Sequence, residues 1–504
     1  MSDTGDKKRE SQFFSAFSGI PLDKFRATCY NHLNVKLRSI HYKMQTRKSQ
    51  IFVRDSGFYR VVLSLAIPMT LQNVLQLLLN MMDTVMLGRL GSSSEALISA
   101  ANFANQPFFV YSLFLFGMVS GMSVLIAQYW GKGDTDAINS ITGIALTAAV
   151  IVGSIVTIVC YAFTPQVMGL FTKSAEVISL GVKYLRIVLA SYVIASMTSI
   201  LCGVMRSTEQ VGIALGSNAV GIITNIALNY CLIFGKFGFP RMEIEGAALA
   251  TLIAKIVEFL VVLVYVVFFD KRVKLGFRRM FTHNAKKKAM LSDFIRYSLP
   301  VIFNETMWGL GITFHSVIIG HIGDAAYAAY TVANIIEKIG LLSAIGFANA
   351  TQIIIGKEIG AGRSENAYPY AKTMLALSAL LGLIMSGVVL LVRVPAVGLF
   401  DIADSTKSAA VNIIGVMSVI IFIKSFNTTA IVGAIRGGGD TKTAMIFDFV
   451  PMWVFSIPLG AIAAHFLKFP VWWVYACLMS DELIKSTFCL LYIRSKKWIR
   501  NVTR

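Results

Sequence analysis

The chain has 504 residues, of which 56% are hydrophobic and only 14% charged, and it carries a formal net charge of +19 at pH 7. A soluble domain carries about a quarter charged residues, so this composition excludes a water-facing surface over most of the chain and leaves lipid to cover it. The positive excess does not point to a nucleic-acid partner, because the basic residues cluster outside the apolar runs.

In chain order, residues 1–58 come first. They are basic (Lys7, Lys8, Arg9, Lys36, Arg38, Lys43, Arg47 and Lys48) and mixed in pattern, and they read as a cytoplasmic amino-terminal segment. Short apolar stretches at Phe13, Phe14, Phe17 and Ile20 leave a membrane-surface helix open beside a loose tail. No continuous apolar core of a cleavable signal is expected there. A spanning helix needs roughly 20 apolar residues, and twelve such runs follow. The first six are read at 61–88, 98–128, 138–163, 178–204, 210–234 and 245–269. The second six are read at 293–320, 326–356, 368–394, 408–434, 442–466 and 470–493. Glycine- and proline-rich turns punctuate them.

Basic clusters also occupy the loop 270–292 (Lys271, Arg272, Lys274, Arg278, Arg279, Lys286, Lys287, Lys288) and the tail 495–504. With an even number of spans per half, both termini and this loop share one side, and the positive-inside rule makes that side cytoplasmic. The expected domains are 59–269 and 293–494, two six-helix lobes of an all-α polytopic protein in the plasma membrane. Of the cysteines, Cys160, Cys202, Cys231, Cys477 and Cys489 fall in apolar runs and Cys29 in the basic segment. None has metal or redox spacing.

The halves repeat. At an offset of 300 − 68 = 232, Pro68 falls on Pro300, Gly88 and Gly91 on Gly320 and Gly323, and Asn102 on Asn334. Gly131, Gly133 and Gly169-Leu170-Phe171 match Gly360, Gly362 and Gly398-Leu399-Phe400 at 229, and Arg206 matches Arg436 at 230. Parallel repeats of this kind place a binding cavity at their interface.

Asn73, Gln76, Asn80 and Asp83 recur at i, i+3, i+7 and i+10 on the first span, one face of a helix. A polar stripe against lipid is costly, so this face should meet a wet cavity or other helices. The repeat sets Glu305, Trp308, Ile312 and His315 at the equivalent positions of the seventh span. An intramembrane carboxylate such as Asp83 costs ~2.5–3.5 kcal/mol on insertion scales, and it can bind and release a proton or sodium ion. Glu305 is the first candidate for a second-lobe acid, followed by Asp448, which the repeat pairs with Asn218. His315 is either a titrating group or a hydrogen-bond partner. Lys255 with Glu258, Asp481 with Lys485, and Glu337 with Lys338 and Lys424 read as mutually neutralising charges.

Several segments carry a family resemblance: Ile67-Pro68, Met82-Asp83-Thr84-Val85-Met86-Leu87-Gly88-Arg89-Leu90-Gly91, Ala127 to Asp134, Asn225 to Ile233, Gly246 to Thr251, and Ile435 to Thr441. Over roughly 59–495 the chain resembles multidrug and toxic compound extrusion transporters. The resemblance implies two lobes forming a V and efflux of drug-like organic cations in exchange for protons or sodium. It gives the cation role to Asp83 and matches Asn225, Asn229 and Thr251 to cation-site positions, although some relatives carry an aspartate where this chain has Asn229. No enzymatic activity or cofactor is expected, since no Gly-x-Ser-x-Gly, histidine-ligand or phosphate-cradling Gly-x-x-x-x-Gly-Lys-Ser/Thr motif occurs. A lipid-linked-sugar flippase of similar architecture is the alternative, distinguished by basic residues in its cavity.

Overall fold

The computed structural model describes residues 52–90, 94–281 and 285–504, so the reading of residues 1–51 lies outside the described residues. Residues 54–504 form one compact helical unit. Its spans in the first half are α1 (Ser56–Gly88), α2 (Ser94–Lys132), α3 (Thr135–Ala162), α4 (Ala175–Val188 with Ala190–Ser207), α5 (Val211–Phe234) and α6 (Glu243–Phe269). The second half contributes α7 (Ala285–Gly320), α8 (Asp324–Gly360), α9 (Ser364–Gly398), α10 (Asp404–Arg436), α11 (Thr441–His465) and α12 (Val471–Leu478 with Ser480–Ser495).

Most helices start a few residues before the apolar pattern does, and at α1, α3, α4 and α11 a polar cap, Asp55, Asp134, Ser174 or Asp440, opens the helix. Asp134 accepts a hydrogen bond from the Ala137 amide at 2.9 Å, so α3 begins at Thr135 and not at 138. Asp55 does the same for the Gly57 amide at 2.9 Å. Several spans are not single rods. The two parts of α4 bend by 47° at Leu189. Asn105, just before Pro107, breaks α2, where the proline lacks an amide to donate. π-helical turns interrupt α10 at Thr429–Arg436 and α11 at Pro451–Ser456.

By length and apolarity, nine helices among the described residues suffice to cross a membrane, or ten with the bent α4. The other two expected spans, α7 and α12, carry the buried charges Glu305, Asp481, Glu482 and Lys485. Those side chains lower the mean hydropathy without moving the helix out of the bundle. The apolar core forms three clusters among the described residues, the third around Ile355, Ile435 and Trp498. One cluster joins residues such as Leu97, Met122, Tyr192 and Val262 of the first half, and a second joins Ile319, Ile336, Met417 and Tyr475 of the other.

The halves meet where α2 crosses α7 and α8, and where α1 crosses α8. The tightest crossings lie toward the end of the bundle that carries the basic loop. A Cβ at Gly121 would overlap the Ser298 backbone, and one at Gly360 would overlap the carbonyl of Gln128. Lys357 of α8 pairs with Glu209, just beyond α4, at 2.8 Å. The segment after α12 seals the same end. Gln128 on α2 donates to the Arg500 carbonyl at 3.1 Å and accepts from the Val502 amide at 2.8 Å. Arg504 grips Asp293 of α7 through two bonds of 2.7 and 2.8 Å.

Candidate functional site

The polar stripe of α1 faces inward at two levels. Near the sealed end, Asn73 and Gln76 line a cavity of about 210 Å³ between the halves, together with residues of α2, α4, α5 and α8. Pro68 lies inside α1 just below this level. The side chain of Asn80 lies outside the described residues. Asp83 sits seven residues beyond Gln76, roughly 10 Å farther along the helix axis.

At that upper level four expected residues come together. Asn229 on α5 donates to Asp83 Oδ1 at 2.6 Å and to Asn225 Oδ1 at 2.9 Å. Asn225 donates in turn to Thr251 Oγ1 on α6 at 3.3 Å. The spacing explains the convergence: Asn225 and Asn229 are four residues apart, so both amides leave α5 on one face. The carbonyl oxygen of Asn229 is buried without a hydrogen-bond partner. An unfilled acceptor beside a carboxylate suits a proton or a cation with a preference for oxygen ligands. This chain therefore has side-chain oxygens suited to a bound sodium ion at Asp83, Asn225, Asn229 and Thr251. Tyr184 of α4 adds a phenol beside Asp83 and Thr251, and its hydroxyl accepts from Asn105 at 3.4 Å. Neither Tyr184 nor Asn105 was expected. An aromatic on an amphipathic helix reads as core, and nothing in the linear pattern sets it against Asp83.

The second half is arranged differently. Glu305 does not stand open: its carboxylate pairs with Arg436 at 2.7 Å, and both side chains are buried. Asp448 pairs with Lys485 at 2.7 Å and accepts from Asn304 at 2.8 Å. Lys485 also meets Asp481 at 2.8 Å, and Lys424 pairs with Glu337 at 2.6 Å. Lys255 and Glu258 form the expected pair at 2.9 Å in the first half. Lys338 is exposed and stands apart from the Glu337–Lys424 pair. His315 is buried, with both ring nitrogens lacking a hydrogen-bond partner. Trp308 is half-buried on α7 and is not part of the cavity lining. The second-half candidates are thus distributed through a charge-compensated core and do not form a counterpart of the Asp83 cluster.

The MatE family profile matches residues 68–231 and 300–462, once in each half. A probable multidrug resistance protein NorM of Thermotoga maritima is 27% identical over 445 residues, covering 87% of this chain and 92% of that protein. A probable multidrug resistance protein YoeA of Bacillus subtilis is 25% identical, covering 86% and 93%. Among solved structures, a point mutant of the Vibrio cholerae MATE transporter VcmN superposes with a TM-score of 0.80 at 16% identity, covering 89% and 98%. A MOP superfamily transporter of Pyrococcus furiosus, its binding pocket characterised as of reverse polarity, superposes with a TM-score of 0.77 at 20% identity, covering 86% and 95%. With twelve spans, two repeated six-helix halves and a profile match in each, this chain belongs to the MatE family of multidrug and toxic compound extrusion transporters.

Proposed function

We propose that the chain is a secondary active exporter that exchanges a proton or a sodium ion, bound at Asp83, for an organic drug-like compound held between the halves. One observation carries this reading: an intramembrane carboxylate, Asp83, whose neighbours Asn229, Asn225 and Thr251 form a continuous chain of hydrogen bonds with one unfilled acceptor. Cation entry neutralises Asp83, reshapes the packing of α1 against α5 and α6, and weakens the hold on the compound. The lobes 59–269 and 293–494 then rock about the α2–α7 seam. A single charge moving down 100 mV supplies ~2.3 kcal/mol, which sustains roughly a 50-fold gradient of a neutral compound.

The basic end is the cytoplasmic end on the positive-inside rule, on which both termini and the 270–292 loop lie on the cytoplasmic side of the plasma membrane. On that assignment the seam at Gly121 and Gly360 closes the inner side. The distinguishing test is transport in proteoliposomes with proton and sodium gradients imposed separately.

The charge of the substrate has to be read from this chain's own cavity, since pocket polarity varies among proteins of this fold. The resemblance implies organic cations, and Asp83 could meet one. Glu305, however, is already neutralised by Arg436. Arg206 is the one charged residue described in the cavity lining. That observation favours a second reading, transport of a lipid-linked phosphosugar, and the two readings differ in whether the compound carries a membrane-embedded tail.

A further inference from the structure

Comparing the two halves residue by residue exposes a charge without a partner. In the second half, Arg436 at the end of α10 is neutralised by Glu305 of α7 at 2.7 Å. The repeat partners of these two are Arg206 and Asn73, at offsets of 436 − 206 = 230 and 305 − 73 = 232. The arginine is kept in the first half and its acid is replaced by an amide. The second ion pair does not repair this. Asp448 and Lys485 correspond at 230 to Asn218 and Lys255, and in the first half Lys255 takes its own acid, Glu258, at 2.9 Å. Asn218 donates to the same Glu258 at 3.4 Å. Arg206 is therefore left without the ion-pair partner that Arg436 has.

Arg206 sits in the last turn of α4, and its side chain enters the cavity. It donates to Gln72 Oε1 at 3.3 Å. Among the described residues no carboxylate lies within ion-pair distance of it. A guanidinium has five N–H donors in a planar fork and stays charged, so most of its capacity faces the cavity. The groups around it point the same way. The Asn73 amide nitrogen is buried without an acceptor, and Gln76, Asn349 and Gln352 add further amides to the wall. No acid is part of this lining.

We propose that Arg206 is the specificity-determining residue of the substrate cavity and that the transported compound carries an anionic group, a carboxylate or phosphate, which pairs with the guanidinium and accepts from Asn73. This deepens the exporter reading and rests on it for the word transported. The binding step does not depend on coupling. Such a site discriminates by charge because the bidentate guanidinium–oxyanion pair is strong only when both oxygens are present. An organic cation of the same shape would meet a like charge in the same cavity.

The test uses the purified full chain in detergent and three probes of one shape: 2-naphthylacetate, its primary amide and 2-naphthylmethyl-trimethylammonium. Equilibrium affinities are read by calorimetry without any ion gradient. The carboxylate should bind at least about tenfold tighter than the amide, and the cation weakest. Arg206→Gln should remove the preference, and Arg206→Lys should keep part of it. Asn73→Glu, which installs the acid that the second half already has, should remove it with Arg206 intact, so a folding defect at Arg206 cannot imitate the result. Equal affinities in the native chain, absent binding of the carboxylate, tightest binding of the cation, or a preference that survives Arg206→Gln would each overturn the proposal. Competition by dihexanoyl phosphatidic acid against dihexanoyl phosphatidylcholine separates the sources. Arg206-dependent displacement by the phosphatidic acid alone supports the anion site with a lipid headgroup as ligand, and displacement by neither supports it with a soluble anion. A chain that binds the carboxylate through Arg206 yet does not exchange it for a cation would overturn the exporter reading and leave this inference standing.

Discussion

Asn229 Nδ2 lies 2.6 Å from Asp83 Oδ1, tying two helices across 146 positions of sequence. The amide gives its donor to the carboxylate and keeps an unfilled oxygen beside it. On the proposed coupling role, the site is a single charge in a neutral cradle, and the cradle should tune how tightly the ion is held. Asn229→Ala removes one donor and one acceptor. It should raise the ion concentration needed for half-maximal transport by about tenfold, the equivalent of ~1.4 kcal/mol, with little change in the amount of folded protein. The ion dependence of uptake at saturating substrate measures this. An unchanged dependence would remove Asn229 from the site.

The Glu305–Arg436 pair should behave as structure. Breaking a buried ion pair by removing one partner costs about 3–5 kcal/mol, because the other charge stays buried. Glu305→Gln should therefore lower the thermal unfolding midpoint, and Glu305→Gln with Arg436→Gln should recover part of the loss. Asp448→Asn should cost less than Glu305→Gln, since Lys485 retains Asp481 at 2.8 Å. Midpoints in one detergent test the order. A Glu305→Gln protein of native stability that does not transport would make Glu305 a coupling residue instead.

Closure of the basic end depends on backbone contact. Gly360 packs against the Gln128 carbonyl, and a side chain there has no space. Gly360→Val should reduce transport by at least about 100-fold, whereas Gly387→Val, which faces open space on α9, should be close to neutral. Initial rates in vesicles with matched protein content compare them. Native rates for Gly360→Val would show that the seam opens and closes elsewhere.

How far this molecule was legible in its sequence varied with the range of the interaction. The twelve spans could be read because burial in lipid imposes an apolar run, and their early starts were missed because caps such as Asp134 are polar. The convergence of Asp83, Asn225 and Asn229 was legible only through the family resemblance, since helical spacing by itself put Asp83 on an inward face of α1 but did not set the two amides of α5 against it. The isolation of Arg206 was not. The offset links Arg206 to Arg436, but that Arg436 reaches Glu305 across two helices is a fact of packing. Without it, the change from Glu305 to Asn73 reads as an ordinary substitution. The Tyr184 contact and the clasp of Gln128 on Arg500 and Val502 were hidden for the same reason.

The proposed orientation rests on repeat parity and charge. Cysteines placed at Glu95 and Asp324, both exposed at the end opposite the basic loop, should react with an impermeant thiol reagent on intact cells, in a background lacking the six native cysteines. A cysteine at Lys288 should be spared. Labelling of Lys288→Cys alone would invert the topology, and labelling of only one of the first two would break the parallel repeat.

The most direct test of cation coupling is accumulation in proteoliposomes under an imposed proton or sodium gradient, comparing the native chain with Asp83→Asn. The native chain should concentrate its substrate against a gradient under one of the two ions. Asp83→Asn keeps the shape and removes the charge, so it should bind substrate through the intact cavity and fail to concentrate it. Gradient-driven accumulation by a folded Asp83→Asn protein at the native rate would contradict the assignment of Asp83 as the coupling site.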